Sequence, residues 1–153
     1  MNIYFECDND KALLKSLSVG KKNQKHSFSK GNVCNSLKKV NDSIGMVDED
    51  PTTNENKYIV SLGNPVRKDF NIKIFTDNNR NNKIVMLCPR LEEWLYFIAK
   101  CNNINPTDFE LPKLPGELHK LEFQKVKTRL FNFLEKLQNS PEMIYLKTEL
   151  SKV

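Results

Sequence analysis

The chain has 153 residues, 39% hydrophobic and 28% charged, with 24 Lys and Arg against 19 Asp and Glu for a formal net charge of +5. That length suits a single domain burying about two thirds of its unfolded surface without a disulfide or metal staple, and the balance of apolar and charged residues excludes a disordered chain. No window of about 18 apolar residues exists, which excludes a bilayer-spanning helix, and MNIYFECDND carries acids where a signal peptide has its apolar stretch, so a cytoplasmic protein is expected.

Residues Asn2–Cys7 are apolar and aromatic-rich and predict a short buried strand. Asp8-Asn9-Asp10 caps a helix from Lys11 to about Val19, with Ala12, Leu13, Leu14 and Leu17 on one face and Gly20 as its stop. His26–Ser29 reads as a short second strand. Lys30-Gly31-Asn32 opens a second helix, Val33–Val40. Ser43–Val47 is a third buried strand, ended by Asp48-Glu49-Asp50-Pro51, where proline breaks regular structure. This β-α-β-α-β order predicts a parallel sheet covered by helices on both faces. Ligands bind such sheets at the carboxyl ends of the strands.

Thr52–Lys57 is a polar loop, Tyr58–Leu62 reads as a strand, and Gly63-Asn64-Pro65 as a turn. Phe70, Ile72 and Ile74 alternate with polar residues, a half-buried strand pattern. Lys83–Cys88 is the clearest buried strand of the second half, and a helix over Leu91–Cys101 follows Pro89. Asn102–Gly116, with three prolines, reads as a loop. A long helix is expected over about Glu117–Gln138, with Phe123, Val126, Leu130, Phe133, Leu134 and Leu137 as its apolar stripe. A last helix has Ser140 as N-cap and Pro141 in its first turn. The whole reads as a single domain, an α/β core over 1–100 with a loop and C-terminal helices over 101–153.

Two acidic clusters end predicted buried strands: Glu6, with Asp8 and Asp10 just after it, and Asp48-x-Asp50. If the two strands are parallel neighbours, Glu6, Asp48 and Asp50 converge at one sheet edge. Converging carboxylates repel unless a divalent cation lies between them, and hard oxygen ligands suit Mg2+ or Mn2+. A cation so held orients a phosphodiester and activates water. Acids at strand ends also cap helices, which is the plainer use of the same residues. Asp10 and one of the glutamates after Pro89, with Glu93 as the candidate, are further potential ligands. The four cysteines, Cys7, Cys34, Cys88 and Cys101, form no C-x-x-C pair, and neither His26 nor His119 lies near one in sequence, which argues against structural zinc.

Charge is segregated along the chain. Between Asp10 and Asp42 no acid occurs and eight lysines do. Lys21, Lys22, Lys25, Lys30, Lys38 and Lys39 in that window are the expected contacts to phosphate backbones of DNA or RNA. No aromatic ladder interleaves with these lysines, so base stacking is not expected.

Phe5-Glu6-Cys7-Asp8-Asn9-Asp10, followed by the leucine-bearing helix, resembles the first motif of the Toprim domain, Glu-Gly-x-x-Asp, with Cys7 in place of glycine. Val47-Asp48-Glu49-Asp50 is similar to its D-x-D, and Gly31 falls near a helix start, as in that family. Pro89-Arg90-Leu91-Glu92-Glu93-Trp94-Leu95 looks like the Pro-x-x-Glu-x-Trp segment of some small Toprim-like proteins of bacterial defence systems. The resemblance spans about residues 1–100. It implies a mostly parallel Rossmann-like sheet flanked by helices, with Asp48 and Asp50 holding Mg2+ and Glu6 as ligand or general acid–base. It implies a nuclease of a defence or DNA-repair system, working with DNA or RNA and with any ATPase as a separate partner chain, since no P-loop is present. No membrane partner is implied, and a homo-oligomer is compatible with it. The replacement of glycine by Cys7 supports the alternative of a non-catalytic nucleic-acid- or protein-binding subunit. Asp48-Glu49-Asp50-Pro51-Thr52 also fits D-x-D-x-T of haloacid-dehalogenase-type phosphatases, which makes Asp48 a nucleophile in a third reading.

Overall fold

Side-chain alternation across a doubly covered sheet decides the architecture. Along β3 (Ile44–Asp48), Ile44 and Met46 enter one core and Val47 the other. Along β6 (Asn82–Leu87), Val85 and Leu87 share the first core while Ile84 and Met86 share the second. Strands apolar on both faces must be covered on both. In this computed structural model, which describes residues 1–153, they lie at the centre of a six-stranded sheet.

The flanking strands are β1 (Ile3–Phe5), β2 (Gln24–His26), β4 (Arg67–Asp69) and β5 (Ile72–Asp77), in the order β2-β1-β3-β6-β5-β4. The pairs β2–β1, β1–β3 and β3–β6 are parallel; β6–β5 and β5–β4 are antiparallel. The larger core gathers α1 (Asp8–Ser16), α4 (Leu91–Cys101), α6 (Phe123–Leu137) and α7 (Pro141–Leu150) on one face. The smaller core holds α2 (Lys30–Leu37) and α3 (Lys57–Ser61) on the other. The α/β reading with a mostly parallel sheet flanked by helices therefore holds. Residues beyond 100 do not stand apart: Leu111, Leu118, Val126, Phe133 and Leu146 lie in the same core as Ile3 and Trp94.

Several local expectations are corrected. The first helix starts at Asp8, because Asp10, as its third residue, reaches back to the N–H of its N-cap Cys7 at 2.9 Å. It ends before Gly20, where Ser18 takes a left-handed φ of 62°. Tyr58–Leu62 is not a strand: Asn56 accepts the Tyr58 N–H and opens α3, which buries Tyr58 and Ile59 and exposes Val60. A short apolar run fits either period. A hairpin partner, β4, was not expected; its residues are all exposed and carry no apolar signal. The long helix over 117–138 is two, α5 (Pro115–His119) and α6, and the 102–116 loop includes a 3₁₀ turn at Pro106–Phe109.

The last helix, α7, is tied to the sheet by charge. Lys83, 2% exposed, pairs with Glu149 at 3.3 Å, and Arg67 reaches the same carboxylate at 2.7 Å. At the centre, Gly45 lets α2 lie directly on β3. A Cβ there would stand 2.7 Å from Leu37 Cδ1 and 2.9 Å from Val33 Cγ1. Gly45→Ala is expected to lower stability by about 1–3 kcal/mol through overpacking. That outweighs the ~0.4–1 kcal/mol favouring alanine through the unfolded chain. A urea titration of the two proteins measures the difference.

Candidate functional site

Parallel pairing of β1 with β3 places their carboxyl ends side by side. Glu6 leaves β1 there, and its Oε1 accepts the Asp48 N–H at 3.0 Å. Asp10, in the first turn of α1, turns back so that its Oδ2 accepts the N–H groups of Glu6 at 3.0 Å and Cys7 at 2.9 Å. Asp48 Oδ1 accepts the Leu91 N–H at 2.9 Å and so caps α4. In that helix Glu92 is 2% exposed. Its Oε1 takes Asn9 Nδ2 at 3.0 Å and lies 3.3 Å from His119 Nδ1, while its Oε2 has no partner. Glu6, Asp10, Asp48 and Glu92 thus come from four elements to one edge. No three of them are gathered around a single point as a ligand set.

The electrostatics follow from burial and from like charge. Desolvation pushes the Asp48 carboxyl up to about 9, and the charges of Asp10, Glu6, Glu92 and Asp50 push the same way. Burial pushes Asp10 up to about 7, against two backbone N–H donors that favour its charged form. Glu6 is raised by burial too, with the N–H groups of Asp48 and Lys30 and the Lys30 ammonium working against the rise. The amino termini of α1, α2 and α4 all begin at this edge, and their partial positive charge favours anions.

Asp50 lies beyond the strand, at a left-handed φ of 50°, where its Oδ1 accepts Arg90 Nε at 2.7 Å. With Glu6, Ser29, Lys30, Gly31 and Asn56 it lines an open cleft of about 340 Å³ without apolar side chains. Cys7, where the Toprim motif carries glycine, has φ −137° and ψ 177°, extended backbone that any residue adopts. Glycine is not needed there for the backbone conformation.

Glu6, Asp10, Asp48 and Asp50 therefore come to one region, as the sequence suggested. Of the two glutamates after Pro89, Glu93 pairs with Arg90 through Oε1 at 3.4 Å and buries an unpartnered Oε2, and Glu92, one residue earlier, is the more deeply buried acid. The lysines are dispersed. Only Lys30 reaches the site, donating to the Glu49 carbonyl at 2.8 Å and pairing with Glu55 at 3.3 Å. Lys21 and Lys22 precede β2, and Lys38 and Lys39 precede β3, so all four lie at the amino-terminal edge, opposite the acids. Lys25 is exposed on the edge strand β2.

The sequence reading missed an aromatic column. Phe5, His26 and Phe28 stack in turn, with ring centroids 5.2 and 4.1 Å apart. Its rings come from two strands and a loop, so no spacing in the chain announces it. Searches against protein-family models, curated proteins and solved structures return no match for this chain.

The raised carboxyls set the sign of the pH dependence. A folded pKa of about 9 for Asp48 and about 7 for Asp10 exceeds the ~3.9 of an unfolded aspartate. The folded state therefore holds more protons across that window, and stability falls as pH rises from about 4 to about 9. Denaturant unfolding of the metal-free protein across that range is expected to show this decline, and Asp48→Asn is expected to flatten it.

Proposed function

We propose that the carboxylates at the shared edge of β1 and β3 are a Mg2+ or Mn2+ centre at which the protein hydrolyses nucleic-acid phosphodiesters. The observation that carries this reading is Glu92 Oε2, an oxygen without a partner in a residue 2% exposed, set in the field of Asp48, Asp10 and Glu6. A buried carboxylate oxygen left bare among other acids is costly unless a proton or a cation meets it. The donor chemistry fits the cation: Asp48 and Asp10 are carboxylates that each give one oxygen to backbone N–H groups, and Glu92 adds an oxygen with no partner. Hard carboxylate oxygens suit Mg2+ and Mn2+.

Bound there, the ion supplies charge to a phosphoryl oxygen and lowers the pKa of water. The chain's own residues do the rest. Lys30 and the amino end of α2 seat the phosphate in the cleft. Glu6, on the wall of that cleft and raised by burial, takes the proton of the attacking water as the water oxygen replaces the sugar oxygen on phosphorus, and returns that proton to the departing oxygen. Arg90 holds Asp50 in place. The small open cleft and the sheet-edge placement support a nuclease of the kind the Toprim resemblance implies. An ATPase, where one is used, is a separate chain.

Calorimetric titration with MnCl2, followed by incubation with DNA and RNA in Mn2+, tests the proposal. Binding is expected, with a raised Tm, and Glu6→Gln is expected to slow cleavage by about 10²-fold or more while leaving the protein folded. Glu92→Gln is expected to weaken Mn2+ affinity by about tenfold or more. Protein that neither binds nor is stabilised by Mg2+ or Mn2+ sinks the reading, and nucleic-acid binding without cleavage turns it to the non-catalytic subunit.

A further inference from the structure

Phe28 is 77% exposed and holds a φ of 70°, a conformation that bulky residues rarely adopt. Both neighbours are pinned: the Ser27 N–H donates to the Phe5 carbonyl at 2.8 Å, Asn32 Nδ2 donates to the Ser27 carbonyl at 2.8 Å, and Ser29 caps α2. One face of the Phe28 ring lies on His26, at 4.1 Å between centroids and 27° between planes. His26 is itself fixed, stacked on buried Phe5 with Nε2 donating to the Glu6 carbonyl at 2.9 Å. The column thus rises from the core beside Glu6 and ends in a ring open to solvent. The next two residues, Ser29 and Lys30, line the acidic cleft.

A ring held this way does little for the core, since most of it stays wet. Its chain neighbours Lys25, Ser29 and Lys30 are polar, and the cleft that Ser29 and Lys30 line has no apolar side chain, unlike the apolar surfaces that protein partners use. A flat exposed ring whose next residues, Ser29 and Lys30, line a phosphate-sized cleft is what single-stranded nucleic acid uses: a base stacks and its phosphate is held nearby.

We propose that Phe28, backed by His26, is a stacking platform for an unpaired nucleobase, so that the substrate at the acidic cleft is single-stranded. The inference rests on the metal-centre reading for what happens to the strand, but the stacking is measured separately from it. Fluorescence anisotropy with labelled oligo-dT, oligo-rU, an abasic oligonucleotide of equal length and a blunt duplex, in Ca2+, compares wild type with Phe28→Gly and Phe28→Trp. Glycine accepts the positive φ, so loss of fold is not expected. One or both single strands are expected to bind more tightly than the duplex. Phe28→Gly is expected to weaken that binding about tenfold, the scale of one lost base–aromatic stack. Phe28→Trp is expected to retain binding and show quenched indole emission with oligo-dT or oligo-rU, and abasic binding is expected to be indifferent to either change. The proposal is overturned if no oligonucleotide binds, if duplex binds as well as single strands, or if Phe28→Gly matches wild type. Mn2+ binding by the same variants is expected to equal wild type; its absence in all three proteins would remove the metal centre and leave the stacking result to stand or fall alone.

Discussion

The parallel pairing of β1 with β3 is the constraint on which the rest of the site depends. It sets Glu6 against the backbone of Asp48, and the helices that follow β1 and β6 bring Asp10 and Glu92 to the same edge. Like charges brought together under partial burial resist ionisation, and Asp48 shows it most. The fold tempers the repulsion with backbone rather than side-chain charge: N–H groups of Glu6, Cys7, Asp48 and Leu91 each meet a carboxylate oxygen. These bonds orient the acids while leaving net negative charge in place.

The opposite end of the sheet handles buried charge differently. Burial pushes Glu149 up, but Arg67 and Lys83 outweigh it and hold the carboxyl below its ordinary range. Asp77 is bonded there by the Tyr58 hydroxyl at 2.8 Å, and Arg80 lies 3.6 Å away. One molecule therefore pairs Glu149 with Arg67 and Lys83, and at the carboxyl edge gathers Glu6, Asp10, Asp48 and Glu92 with no lysine or arginine ion-paired to any of the four. That contrast separates the cluster from ordinary helix capping, even though Asp48 and Asp10 do each serve a helix amino terminus.

The lysine-rich window shows how chain proximity misleads. A parallel crossover carries the chain from one sheet edge to the other and back. Residues only eight or nine apart in sequence then sit at opposite ends, as Lys21 and Lys38 do relative to Lys30. An electrostatic footprint read from sequence was one patch; in the fold it is a single cation at the cleft and several at the far edge. Near the site the fold instead sets an aromatic pair, Phe28 on His26.

Residues acting through local periodicity were legible. The buried strands at Ile44 and Lys83, the helix at Leu91–Cys101, the Ser140 cap and the acids ending β1 and β3 all follow from patterns within a few residues, because side-chain period and capping chemistry are short-range. The order β-α-β-α-β carried the parallel sheet with it, since parallel neighbours need crossovers. Tertiary structure alone decided that Glu92 is the more deeply buried of the two glutamates after Pro89, that KYIVS is a helix, and that Phe5, His26 and Phe28 form a column. Each depends on helix rotation or on rings from separate segments, and those are set by packing against partners that no local window of sequence contains.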